Sequence, residues 1–210
     1  MDFIADEDDT GSVLVSDDIV DLNNAWRSEV HSPDILPYRH HLIRDISDRL
    51  HTQQRNISDR INSPEEIFTA SLYQMDIDRV RYALARYLRA RILKIERMSD
   101  DVIRGEVLDR LSIQEKTFVS KLNNLNNAYL EESFFGRLQE GAKEKAESAP
   151  DRRKHAQPAL QDFVFCRTLA DIEVPNEYGD PPARYARGDM FIAKYDDIKE
   201  FVVRDEIILI

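Results

Sequence analysis

The chain has 210 residues, with 29 Lys and Arg against 40 Asp and Glu, a formal charge of −11 and a single cysteine, Cys166. No apolar run approaches the roughly 20 residues needed to cross a bilayer, and the acidic start shows neither the basic nor the apolar region of a secretory signal. The charge argues against a protein whose main task is to coat nucleic acid, and a lone cysteine permits no internal disulfide, as expected of a reducing compartment.

Residues 1–15 hold Asp2, Asp6, Glu7, Asp8 and Asp9 without Lys or Arg, and read as a flexible acidic tail. From Ser16 the pattern is helical: Ile19, Leu22, Trp26 and Val30 share one face, and Asp17 and Asp18 suit the positive end of the helix dipole. Ser32-Pro33 and Leu36-Pro37 end this helix. A second spans about Tyr38 to Ile61, with Ile43, Ile46, Leu50, Ile57 and Ile61 on one side. Ser63-Pro64-Glu65-Glu66 is a capping box with proline at the first helical position. The segment that follows, 65–97, has no Gly or Pro and extends about 50 Å at about 1.5 Å per residue. A loop is expected over 100–105. Ser112-Ile113-Gln114-Glu115 is a second capping box, opening a helix with Phe118, Leu122, Leu125 and Tyr129 along one face.

Residues 139–158 contain no large apolar side chain and read as a linker. The period beyond it becomes that of strands: 163–167 and 190–193 are strand candidates, 176–182 is turn-rich, 195–201 is a short helix and 206–210 a last strand. The fold class is therefore α+β: an all-α helical bundle over 16–138, a linker over 139–158 and a small β-rich domain over 159–210. At about 52 residues with no disulfide, that last module is marginal by itself and needs a surface to dock on.

Catalytic signatures are missing. There is no phosphate-binding glycine loop, His40 and His41 are adjacent where zinc needs an i, i+4 pair, and Cys166 alternates with Phe163 and Phe165 as a packed thiol would. No catalytic residue, cofactor or metal is expected. The informative stretch is 76–97. Arg79, Arg81, Arg86, Arg89, Arg91, Lys94 and Arg97 face only Asp76, Asp78 and Glu96 there. Ile77, Val80, Leu84, Leu88, Ile92 and Ile95 form one stripe, with Arg79, Arg86 and Arg97 opposite. Arg81 and Arg91 each lie within about 40° of the stripe's centre, so either they snorkel past it or they pair with acids at a helix–helix interface. Tyr82, Tyr87 and Leu93 lie outside it, which gives more apolar surface than a small monomer needs and suggests an obligate partner.

Gln74-Met75-Asp76-Ile77-Asp78-Arg79-Val80-Arg81-Tyr82, followed by Tyr87-Leu88-Arg89-Ala90-Arg91 and Lys94-Ile95-Glu96, closely resembles the long central helix of the Sld-five subunit family of the GINS complex. Ala25-Trp26 with Pro33 to Pro37 resembles the end of that family's first helix. Asp162 to Arg167, Gly188, Tyr195 and Ile207 to Ile210 resemble its C-terminal β domain, although Arg184 to Arg187 is basic where the family is acidic. The resemblance implies a helical A domain followed by a β-rich B domain in a non-catalytic nuclear subunit. It implies an obligate heterotetramer with three sister subunits. That assembly joins the MCM ring and the Cdc-forty-five protein as the replicative DNA helicase and helps place the leading-strand polymerase. An acidic tail in some relatives docks a replisome hub adaptor. Candidate subunit-interface residues are Val80, Arg81, Leu84, Leu88, Arg91, Ile92 and Ile95 on the helix, and Phe163, Phe165, Tyr195, Ile207, Leu209 and Ile210 in the β domain. Two other readings stay open: direct DNA binding through the Arg79–Arg97 helix, and a helical adaptor unrelated to replication.

Overall fold

The computed structural model describes residues 10–59, 64–98, 106–138, 142, 158–175 and 182–210. The expected loop at 100–105, most of the 139–158 linker, the turn-rich 176–181, the Ser63 cap and residues 1–9 lie outside them. The chain forms two compact units, one from 1–30 with 39–89 and the other from 31–38 with 90–210.

The first unit is helical. It comprises α1 (Thr10–His31) up to Val30, α2 (His40–Asp59) and most of α3 (Pro64–Arg97). Helix α1 begins at Thr10, six residues before the expected Ser16, because Val13-Leu14-Val15 continue the helix and no proline stops it. Leu22, Ile43, Ile46 and Ile77 are buried, as the apolar faces read from the spacing require, whereas Val30 of the α1 face and Ile92 of the α3 stripe are exposed. Tyr87, outside the stripe by spacing, is buried within this chain and so adds no surplus apolar surface. Polar links join the helices. Arg49 of α2 pairs with Asp18 of α1, and the Arg86 guanidinium of α3 lies 3.6 Å from the Trp26 ring centre in α1. Gln54 of α2 donates to Gln74 of α3 at 3.1 Å.

In the second unit the end of α3 meets a 3₁₀ turn (Glu106–Arg110) and α4 (Ile113–Ser133). Ile35, Ile95, Met98, Leu111 and Val119 form one core there. The capping box at α4 is closed both ways: Ser112 Oγ accepts the Glu115 N–H at 3.2 Å, and a Glu115 carboxylate oxygen accepts the Ser112 N–H at 2.8 Å.

The β part contains β1 (Phe163–Thr168), β2 (Ile172–Val174), β3 (Ala183–Tyr185), β4 (Met190–Lys194), α5 (Tyr195–Val203) and β5 (Ile207–Leu209). One antiparallel sheet has the order β4-β1-β5, and β2 pairs with β3. Strand β1 alternates strictly, with Val164, Cys166 and Thr168 inward and Phe163, Phe165 and Arg167 outward. The inward set joins Ile172, Val174, Tyr195, Ile198, Val202, Ile207 and Leu209 in a second core. The sequence shows no clear sign of β2 and β3, since three residues are too few to display a period. The basic Arg184 to Arg187 stretch finds acids here: Arg184 lies opposite Glu173 with its Nε 2.7 Å from the carboxylate, and the Arg187 N–H donates to Asp171 at 2.8 Å. Gly188 turns the chain from β3 to β4 at φ 96°, a backbone region open to glycine, and its N–H donates to the Thr168 carbonyl at 3.0 Å.

Candidate interaction surface

Arg91 is completely buried, and its guanidinium is satisfied on all sides. Nε donates to Glu115 Oε1 at 2.7 Å and Nη2 to Oε2 at 3.3 Å, a two-point grip on the first turn of α4. Nη1 donates to the Leu36 carbonyl at 2.7 Å, and Nη2 also to the Arg110 carbonyl at 3.1 Å. The Tyr38 ring lies 5.3 Å from its carbon. Burial, then the Glu115 charge, raises the Tyr38 hydroxyl above its ordinary value, with Arg91 opposing. Glu115 thus serves both as capping carboxylate and as counter-charge. The expected pairing with an acid at a helix–helix contact holds for Arg91. It does not hold for Arg81, which is exposed, lies 3.6 Å from Asp78 of its own helix and donates to Gln54 of α2 at 3.0 Å. An amide replaces the acid there because the chain leaves that guanidinium in water.

The outward surfaces are unusually apolar. Helix α4 buries only Glu115 and Val119 among its described side chains. Its periodic stripe points away from the chain: Leu125 and Tyr129 are 67% and 68% exposed, with Phe118 partly exposed and Leu122 half-buried. From Phe118 to Tyr129 this stripe runs about 16 Å. In the first unit, α3 likewise exposes Phe68, Leu72, Tyr73, Met75 and Tyr82. On the β domain, Phe163 and Phe165 of β1 and Met190 and Ile192 of β4 are all more than half exposed on one sheet face, with Phe165 opposite Ile192 in register.

Of the interface candidates on α3, Val80, Leu84 and Leu88 are half-buried, Arg81 and Ile92 are exposed, and Arg91 and Ile95 are interior. In the β domain, Tyr195, Ile207 and Leu209 share the core, whereas Phe163, Phe165 and Ile210 face outward. The Ile210 N–H donates to the Phe165 carbonyl at 3.0 Å, so the last residue extends the β1 pairing. Sequence reading omitted Met190 and Ile192, although the alternation in 190–193 would have placed both on the face of Phe165 once β1 and β4 were paired. Cys166 is interior, and burial pushes its thiol up to about 12. Among the described residues no helix is long and apolar enough to cross a membrane.

Comparison with known proteins agrees with this architecture. The family described as GINS complex protein helical bundle domain matches residues 41–134, and that described as DNA replication complex GINS protein SLD5 C-terminus matches 158–210. The DNA replication complex GINS protein SLD5 of Arabidopsis thaliana is 30% identical over 96% of this chain and 95% of its own length. The proteins of the same name in Dictyostelium discoideum and Schizosaccharomyces pombe are 25% and 24% identical, over 86% and 90% of this chain and 86% and 89% of their own. With both families matched in the order in which the helical and β parts fold, the chain belongs to the SLD5 family, the non-catalytic SLD5 subunits of the GINS complex in DNA replication.

Proposed function

We propose that the outward stripe of α4 and the outer sheet face of the β domain are packing surfaces for the sister GINS subunits. On this reading the chain is a scaffold in a nuclear heterotetramer that joins the MCM ring and the Cdc-forty-five protein as the replicative helicase. ATP hydrolysis belongs to the ring, and the assembled tetramer, not this chain alone, helps place the leading-strand polymerase. The acidic residues before α1 are a docking segment for a replisome hub adaptor. The domain layout has a helical part that begins with α1 at Thr10 rather than at 16 and runs to 138, a linker over 139–158 and a β-rich part over 159–210.

The observation that carries this is the α4 stripe. Four large side chains at helical spacing are arranged for burial, yet this chain covers Phe118 and Leu122 only in part and leaves Leu125 and Tyr129 about two-thirds exposed. Exposed patches of that kind mark partner contacts. The arginines speak against DNA binding as the main activity: Arg91 is interior, and Arg79 and Arg81 already face Asp76 and Asp78. Co-expression with the three sister subunits, followed by size-exclusion chromatography with light scattering, tests the proposal. The unaltered chain should give one 1:1:1:1 particle, and Leu125→Asp with Tyr129→Asp should abolish it while helix content stays unchanged. Normal assembly of that double variant would refute the α4 surface.

A further inference from the structure

The segment between α1 and α2 belongs to both cores of the second unit. It is non-helical and bends at Pro33 and Asp34, with Pro33 and Pro37 disfavouring helix at the residues before them. Ile35 enters the helical core with Ile95, Met98, Leu111 and Val119, while Leu36 enters the β core with Val164, Tyr195, Ile198 and Leu209. Asp34 carries the same division in charge. Its Oδ2 receives Arg110 of the helical part at 2.6 Å and Lys199 of α5 at 3.0 Å, and its Oδ1 accepts the Ile35 N–H at 2.8 Å. Lys94 of α3 then donates to both the Asp34 carbonyl and Ser32 Oγ at 2.9 Å. The carboxylate is buried, so withdrawing either cation takes a charge-assisted hydrogen bond from a site with little access to water and leaves the other cation as its single counter-charge.

We propose that residues 32–37 form a latch seating the β domain on the helical part of the same chain, with Asp34 bridging the two through Arg110 and Lys199 and Leu36 completing the β core. The β domain is too small to be well stabilised alone, and among the described residues Leu36 is the one side chain of its buried core supplied from the helical part. The latch, not the length of the linker, fixes the direction in which Phe163, Phe165, Met190 and Ile192 face. A sister subunit therefore meets a surface that is already oriented, and binding does not have to restrict a swinging domain.

The test is to cut the linker. The full chain, carried on an N-terminal maltose-binding protein and bearing a protease site within 143–157, is cleaved on amylose resin, and the released and retained β fragments are measured. The cut fragment should stay on the resin. Lys199→Glu, which sets a like charge against Asp34, should lower retention by about tenfold or more. Leu36→Ser should release it as well, and each variant is first shown by circular dichroism to keep the parent's helix content. Lys199→Glu changes a partly exposed side chain of the β domain, so it tests the latch even where Leu36→Ser misfolds. Release in either folded variant, with retention in the parent, supports the latch. Separation of the unaltered cut chain, or parental retention in both variants, overturns it.

Discussion

Replacing Arg91 with alanine removes the cation that pairs with Glu115, and no other ion pair to Glu115 is formed among the described residues. The Glu115 side chain is 8% exposed, so its carboxylate would remain largely dry, and the carbonyls of Leu36 and Arg110 would each lose a donor. Breaking a buried pair from one side costs about 3–5 kcal/mol. A domain is stable by about 5–15 kcal/mol in total, so this is a large share. At about 2–4 °C per kcal/mol for a chain of this size, the melting temperature should fall by about 6–20 °C. Urea and thermal unfolding of the full chain measure both quantities. Arg91→Lys should recover little, since a lysine cannot reach two carboxylate oxygens and two carbonyls in one plane. Arg91→Met with Glu115→Leu should recover part of the loss by removing both charges, but not all of it, because the Ser112 N–H and both carbonyls would stay without partners. Such a cycle should give a coupling of about 0.5–3 kcal/mol between the two residues. If Arg91→Ala unfolds within about 0.5 kcal/mol of the parent, the pair is not a structural anchor and the reasoning fails.

Four further outcomes follow from the same geometry. Ser112→Ala should cost about 0.5–2 kcal/mol through the lost cap, read by urea unfolding. Deleting Ile207 to Ile210 should unfold the β domain, because burying three apolar side chains is worth roughly 5–9 kcal/mol; limited proteolysis would then digest 158–206 while the helical part survives. Cys166 should resist a thiol-reactive disulfide reagent at mildly alkaline pH until denaturant is added, since its thiol titrates at about 12. Burial would raise the Asp34 carboxyl, yet hydrogen bonds from Lys199 and Arg110, the Arg110 charge and the Ile35 N–H together bring it below its ordinary value of 3.8. Its contribution is therefore complete above pH 4 or so and lost as pH falls through the lowered folded-state value, and Asp34→Asn should flatten that acid limb of stability.

Long helices were the most legible part of this sequence. Spacing alone located α2, α3 and α4, and the Ser112–Glu115 box gave the start of α4, because a cap depends only on residues three apart. Buried Arg91 was also foreseeable, since a cation beside an apolar stripe must either leave it or find a partner. Which of those happens depends on residues far along the chain. Arg91 is 24 positions from Glu115 and 55 from Leu36, whereas Arg81 meets an amide of α2 and an acid of its own helix, and no local pattern separates the two. Strands β2 and β3 escaped for a different reason: each is three residues long, too short to display a period, and their pairing joins Glu173 to Arg184, distant in sequence.

The candidate surface was legible in composition but not in position. A helical stripe says that a face will be buried, without saying by what. Ile35 and Ile95 are buried within this chain, whereas Leu125 and Tyr129 are left exposed by it, and apolar character alone does not separate the two pairs. The same ambiguity explains why the interface candidates divide into interior and outward sets. Tyr195, Ile207 and Leu209 can affect a partner only by holding β1, since their side chains are already enclosed. Phe163 and Phe165, one residue either side of Val164 on the same strand, stand in water. The period-two alternation that buries half of β1 therefore presents the other half outward. A substitution at Val164 or Cys166 should reduce assembly only as far as it unfolds the β domain. A polar substitution at Phe165 should reduce assembly at unchanged stability, and comparing the two losses distinguishes a contact from its support.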